Sequence, residues 1–338
     1  MAFVLDGREW CFDGWSSQAI ESAIEEVLAR LGQITARGER FWIGDDFQNR
    51  PMLGALSLWQ LWAEDSSVTI SRDVRNELTA YLIRAQRYAD EDWPDRFDEM
   101  MPVSINGGPE TTNLDILWIH LKAMSGAAIG CLGISRSGIY RVDSAVGTNS
   151  LYWIGNDALH VDFWRRAIAI QGGGAETLQR LAPHAFPNLY FAEGVWRGCN
   201  DFGGGYISQE AALLRYLAAL DDHGYWVYEA APPAEDRPPC QTEHRIHASM
   251  AKPSNQLIER RFRRLNLEIA PENPDVQADR QCREARQVIV KGCILYCEWH
   301  AKLEAHRNRV HIHQPVVESD YRTVIGILHN HLPLPGRR

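Results

Sequence analysis

The chain contains no unbroken apolar run long enough to cross a bilayer; residues 115 to 135 come nearest, and His120, Lys122 and several glycines interrupt them. Its opening, MAFVLDGREWCFDG, lacks the basic stretch leading into an apolar one that marks a secretion signal. Cysteines are sparse and odd in number. Cys11, Cys131, Cys199, Cys240, Cys282, Cys293 and Cys297 are scattered and suggest no disulfide framework. A reducing cytoplasm without membrane contact is therefore the expected setting. No repeat of fixed period is present. The glycine clusters at 172–174 and 202–206 lack the strand, helix and charge of a phosphate-binding loop, and the small residues around 133–138 form no nucleophile elbow.

What remains is a globular chain of 338 residues, 45% apolar and 10% aromatic, long enough for one large core or two ordinary domains. Its net charge of −9 is unevenly spread. Residues 241–338 carry 16 Lys and Arg against 11 Asp and Glu, whereas residues 1–240 carry 19 against 33. Eight of the 12 histidines fall in the basic part and 11 of the 12 tryptophans in the acidic part, so two kinds of surface are implied. The proline-rich segment 231–241 reads as a linker. It divides an acidic, Trp-rich domain (1–230) from a basic, His-rich one (242–338).

The expected class is α+β: a helix-rich mixed N-terminal domain followed by a small C-terminal antiparallel sheet packed on a basic helix. Asp6-Gly7 between short apolar runs suggests a hairpin. Ser16 or Ser17 caps a helix with Ile20, Ile24, Val27 and Leu31 on one face, and Gly32 should stop it. Further helices are expected near 56–63, 71–90, 113–124, 157–170 and 208–221, with strands at 127–133, 138–143 and 150–154. In the C-terminal part Ser254 caps NQLIERRFRRL, an amphipathic helix with Ile258, Phe262 and Leu265 on one side and Arg260, Arg261, Arg263 and Arg264 around them. Strand-like runs follow at 283–290, 293–303, 309–314 and 321–332. Lys291-Gly292 forms the first turn, and the polar break at 270–279 reads as a loop.

Alternation across the second and third runs puts Glu298, His300 and Lys302 on one face and Arg309, His311 and His313 on another. Burying the apolar sides together would bring all six to one exposed surface. Such a surface suits phosphodiester chemistry. One imidazole removes a proton from an RNA 2′-hydroxyl, another protonates the departing 5′-oxygen, and Lys302 or Arg309 stabilises charge on phosphorus. Glu298 would orient His300 or act as the base itself, and no cofactor is required. The arginines of the basic helix would bind the nucleic-acid backbone, RNA being the favoured partner. The arrangement of helix and sheet over roughly the last 85 residues resembles small bacterial ribonuclease toxins of the RelE and ParE type, in topology rather than in any shared motif. The division itself, with the acidic domain holding a protein partner or restraining access to the basic site, suits a bacterial toxin or phage-defence (antiviral-defence) effector.

Two other readings stand beside it. The same cations can serve a non-enzymatic subunit that binds nucleic acid or protein. Alternatively, His311 and His313, two residues apart, can chelate a metal in a metal-dependent hydrolase, with Glu298, His300 or His331 as further ligands. Cys240, His244, His247 and Cys282 match no standard zinc spacing. His306 reads as a turn residue, and His329 and His331 either decorate the last strand or complete the site. Asp45, Asp46 and Asp157 read as loop or cap carboxylates.

Overall fold

Helix α1 (Ser17–Ala36) starts where Ser16 accepts a hydrogen bond from the Ala19 amide at 3.2 Å, and it buries Ile20, Ile24, Val27 and Leu31 as their spacing requires. Gly32 does not stop it. A Cβ there would meet the Tyr81 hydroxyl at 3.3 Å, so the glycine serves close packing, and the helix ends only before Gly38, which adopts φ 68°. The computed structural model describes residues 2–63, 66, 68–91, 93, 98–172, 174–229 and 253–336. The chain is of the α+β class and divides into two compact units, Met1–Gln171 and Gly172–Arg338. The proline-rich segment 231–241, with Cys240, His244 and His247, lies outside the described residues.

The first unit runs β1 (Ala2–Leu5), α1, β2 (Arg40–Ile43), α2 (Leu58–Leu61), α3 (Arg72–Arg84), β3 (Gln86–Arg87), β4 (Val103–Ile105), α4 (Leu114–Met124), β5 (Ile129–Leu132), β6 (Gly138–Ser144), β7 (Gly147–Trp153) and α5 (Asp157–Ile170). One sheet of order β3-β2-β1-β5-β7-β6-β4 holds these strands. The first five are parallel, and β6 pairs antiparallel with both β7 and β4. Phe3, Val4 and Leu5 are all fully buried, as befits a central parallel strand covered on both faces. The expected hairpin at Asp6-Gly7 does not form. Asp6 instead caps a single 3-10 turn over Gly7–Glu9, accepting from the Arg8 amide at 3.2 Å, and the chain leaves the sheet.

The second unit runs α6 (Ala175–Ala185), β8 (Leu189–Phe191), α7 (Tyr206–Tyr228), α8 (Asn255–Arg264), β9 (Ile269–Pro271), α9 (Pro274–Ala278), α10 (Arg280–Glu284), β10 (Gln287–Val290), β11 (Cys293–Tyr296), β12 (Trp299–Glu304), β13 (Arg307–His313) and β14 (Thr323–His329). Five strands form a sheet of order β8-β14-β13-β12-β9, antiparallel except for the β14–β8 pair. Thus the C-terminal sheet takes one edge strand, and α6 and α7 beside it, from before the proline-rich segment. The run expected as one strand over 293–303 is two: β11 pairs only with β10, and β12 joins the larger sheet. Lys291 and Gly292 make the β10–β11 turn with φ 46° and 85°, the left-handed pair a two-residue hairpin requires.

Ser254 caps α8 through the Leu257 amide, and Phe262 on its inner face lies 5.9 Å from the Trp299 ring. Trp299, Ala301, Val310 and Ile312 are at most 1% exposed, so this side of the sheet is core. Burying the two aromatic rings alone contributes on the order of 4 kcal/mol.

Candidate functional site

Strands β12 and β13 pair His300 with His311 and Lys302 with Arg309, and Arg309 also faces His329 of β14. Residues two apart share a side of a strand. The face opposite Trp299 therefore carries two cross-strand rows, His300–His311 and Lys302–Arg309–His329. The imidazole rings of His300 and His311 are 6.0 Å apart.

This face is not the open surface that the sequence suggested. His311 is fully buried, while His300 and His313 are each 8% exposed. Lys302, Arg309 and His329 are half-buried. The cover comes from segments that the sequence reading placed elsewhere. Glu272, in the supposed loop 270–279, leaves β9 beside β12, and its Oε1 lies 3.3 Å from His300 Nδ1 and 3.2 Å from His311 Nδ1. Arg286, just before β10, places Nε 3.0 Å from the same oxygen and is wholly buried. None of these three contacts has hydrogen-bond alignment, so the carboxylate is held by charge and proximity rather than by directed bonds.

The electrostatics follow from that enclosure. Burial pushes the Glu272 carboxyl up, but the pull of His300 and His311 outweighs it and holds the group well below the usual carboxylate range. His311 is driven the other way. Burial lowers it to about 4 despite the attraction of Glu272, with His300 and Arg286 adding repulsion. Arg309 is lowered by burial against the pull of Glu272. Around the carboxylate, the donors Arg286 Nη2, Tyr296 Oη and Arg309 Nε are buried and have no hydrogen-bond partner among the described residues. Each such buried donor costs about 1–3 kcal/mol unless something accepts from it.

Other expected members are not gathered here. His313 lies beyond the β12 pairing, which ends at Ile312, and its Nδ1 lies 2.7 Å from the Gln314 carbonyl. Glu298 falls between β11 and β12. Its carbonyl accepts from the Glu272 amide at 2.8 Å, and its charge helps to raise the Tyr228 phenol, whose main cause is burial. On α8, Arg260, Arg263 and Arg264 are exposed, but Arg261 is not available to a nucleic acid. It is fully buried and donates to the Trp226, Val227 and Glu229 carbonyls at 2.7–3.0 Å at the end of α7, where the Trp226 carbonyl also accepts from the Glu229 amide.

At the C-terminal edge His331 donates its amide to His329 Nδ1 at 3.0 Å, which leaves the His329 proton on Nε2 in the neutral ring. Among the described residues no group of three or more His, Cys, Asp or Glu is placed to hold a metal ion. No described helix is long and apolar enough to cross a membrane.

Glu272 had a sequence signal, since Asn273-Pro274 is a helix start and Asn273 caps α9, which leaves the preceding residues to be a short strand. Arg286 had none, because an arginine inside the strand-like run 283–290 reads as surface. No family model, no curated protein and no solved structure matches this chain.

Proposed function

We propose that the C-terminal unit cleaves RNA without a metal, at the boundary between its two cross-strand rows. The observation that supports this reading is the set of unsatisfied buried donors around Glu272, which suits an anionic group held at Arg309. With Nδ1 facing Glu272, His300 keeps the Nε2 lone pair for the 2′-hydroxyl proton, and the carboxylate stabilises the imidazolium that forms. The 2′-oxygen attacks phosphorus, Arg309 stabilises the added charge, and the Lys302 ammonium gives a proton to the departing 5′-oxygen, while His329, whose Nδ1 accepts the His331 amide, stays neutral. A 2′,3′-cyclic phosphate results. His311 and Arg286 act as positioning residues that hold Glu272.

Labelled RNA incubated with the protein in excess chelator should yield cyclic-phosphate ends, whereas DNA, lacking the 2′-hydroxyl, should stay intact. His300→Ala and Lys302→Ala should each slow cleavage by about 10²–10⁴-fold. No cleavage of any RNA by the wild-type protein, or equal rates in the variants, overturns the proposal.

The complete burial of His311 and Arg286 favours a second reading, in which the cluster is an interior ion pair that fixes the sheet against its cover. That reading predicts nucleic-acid binding through Arg260, Arg263 and Arg264 without turnover.

A further inference from the structure

In the N-terminal sheet the chain steps outward from β1 to β2 and β3, then returns to the other side of β1 with β5. Loops leaving the carboxyl ends of β1 and β5 therefore diverge, and open α/β sheets bind ligands at such a point. A cleft of about 500 Å³ lies on the β1–β2 side of this point, lined among others by Arg8, Asp46, Arg50, Glu99, Met100 and Leu114. That volume is within the range of small-molecule sites.

Its floor is a buried ionic network. Asp115 is wholly buried at the start of α4 and accepts from the Gly7 amide at 2.9 Å, from the Tyr88 hydroxyl at 2.7 Å and from Arg50. Arg50 also grips Asp46 through Nε at 2.7 Å and Nη2 at 2.6 Å. Glycines just past the ends of β1 and β2 leave the room that this packing uses. A Cβ on Gly7 would fall 2.4 Å from Arg50 Nη1, and one on Gly44 would fall 2.8 Å from the Tyr88 hydroxyl and 2.9 Å from Asp115 Oδ1. The sequence reading took Asp46 for an ordinary loop carboxylate; the fold sets it on the cleft wall.

Arg50 is committed to two carboxylates, so its charge is already matched. Arg8 is different: its side chain is exposed on the cleft wall and its guanidinium makes no hydrogen bond or close ion pair among the described residues, although its charge helps to lower the Asp46 carboxyl. It is the cation available to an incoming anion. Asp46, with 60% of its side chain exposed, offers acceptor capacity for hydroxyl groups. Met100, 71% exposed, and Leu114 give an apolar surface for a flat ring.

A ligand that joins a negative group, hydroxyl donors and an apolar ring would match these walls. We infer that the N-terminal cleft binds a ribonucleoside monophosphate, with the phosphate on Arg8, the ribose hydroxyls on Asp46 and the base against Met100 and Leu114.

Calorimetric titration of the full chain with the four ribonucleoside 5′-monophosphates, the nucleosides, ribose 5-phosphate and inorganic phosphate tests this. At least one monophosphate should bind saturably, with its nucleoside and ribose 5-phosphate each at least about tenfold weaker. Arg8→Ala and, separately, Arg8→Gln, both at an exposed position, should weaken the monophosphate about tenfold and leave the nucleoside unchanged. No saturable binding of any monophosphate at millimolar concentration, inorganic phosphate binding as tightly as the nucleotide, or unchanged affinity in both Arg8 variants overturns the inference.

Discussion

Acidification from pH 7 to 4.5 should loosen the C-terminal unit through His311. In the unfolded chain this imidazole protonates near its ordinary value of 6.5, but in the fold only near 4, because burial penalises the charged ring more than Glu272 favours it. As pH falls through this window the unfolded chain takes up a proton that the folded chain refuses. The stability associated with the neutral ring is complete above 6.5 and is lost progressively down to 4. Between pH 7 and 4.5 the loss is about 2 kcal/mol, equivalent to a shift of roughly 1 M in a urea midpoint for a unit of this size. Urea unfolding at several pH values, followed by hydrogen exchange of peptides spanning β12 and β13, isolates this unit from the other. His311→Gln removes the titration whatever it does to stability at pH 7. Its midpoint should fall less than that of the wild type over the same window, and parallel curves for the two proteins would refute the reasoning.

The N-terminal unit should respond in the opposite sense at Asp6, whose carboxyl is raised from 3.8 to about 6 by burial and by the neighbouring Glu9 and Asp115 charges. Its contribution is complete below 3.8 and lost as pH rises through 6, so Asp6→Asn should raise unfolding stability at pH 7.5 by about 2 kcal/mol and change little at pH 4. Gly198→Ala should destabilise the C-terminal unit by more than about 2 kcal/mol, since the new Cβ would lie 1.7 Å from the Leu328 carbonyl oxygen and backbone would have to move; chemical denaturation measures this. Arg261→Ala should cost about 3 kcal/mol by removing the buried donor that three carbonyls at the end of α7 share, whereas Arg263→Ala, 76% exposed, should stay within about 0.5 kcal/mol in the same assay.

Local signals in the sequence carried far. The serine caps of α1 and α8, the apolar spacing of α1 and the Lys291-Gly292 turn depend on a few neighbouring residues, and each is found where those residues placed it. The cross-strand pairing of His300 with His311 likewise follows from alternation in two adjacent strands. What escaped was set by distant chain. Asp6-Gly7 has the composition of a hairpin, yet β1 takes parallel partners from residues 40–42 and 129–132, which no local pattern encodes. Polarity also misled at the histidine face. Alternating imidazoles read as solvent-facing because the residues that cover them, Glu272 and Arg286, come from a proline-bearing break and from beside a strand. Arg261 looked like its three arginine neighbours because helical spacing alone does not reveal the carbonyl cluster at the end of α7.

The parallel pairing of β8 with β14 has a consequence for the second unit as an object that assembles. Residues 189–191 must find 323–325 across more than a hundred intervening positions, so closing that edge is a late and slow event. A fragment beginning after the proline-rich segment would lack the partner altogether. Its last strand, TVIGILH, would present a bare row of amides and carbonyls beside mostly apolar side chains, and such fragments should self-associate rather than remain dispersed.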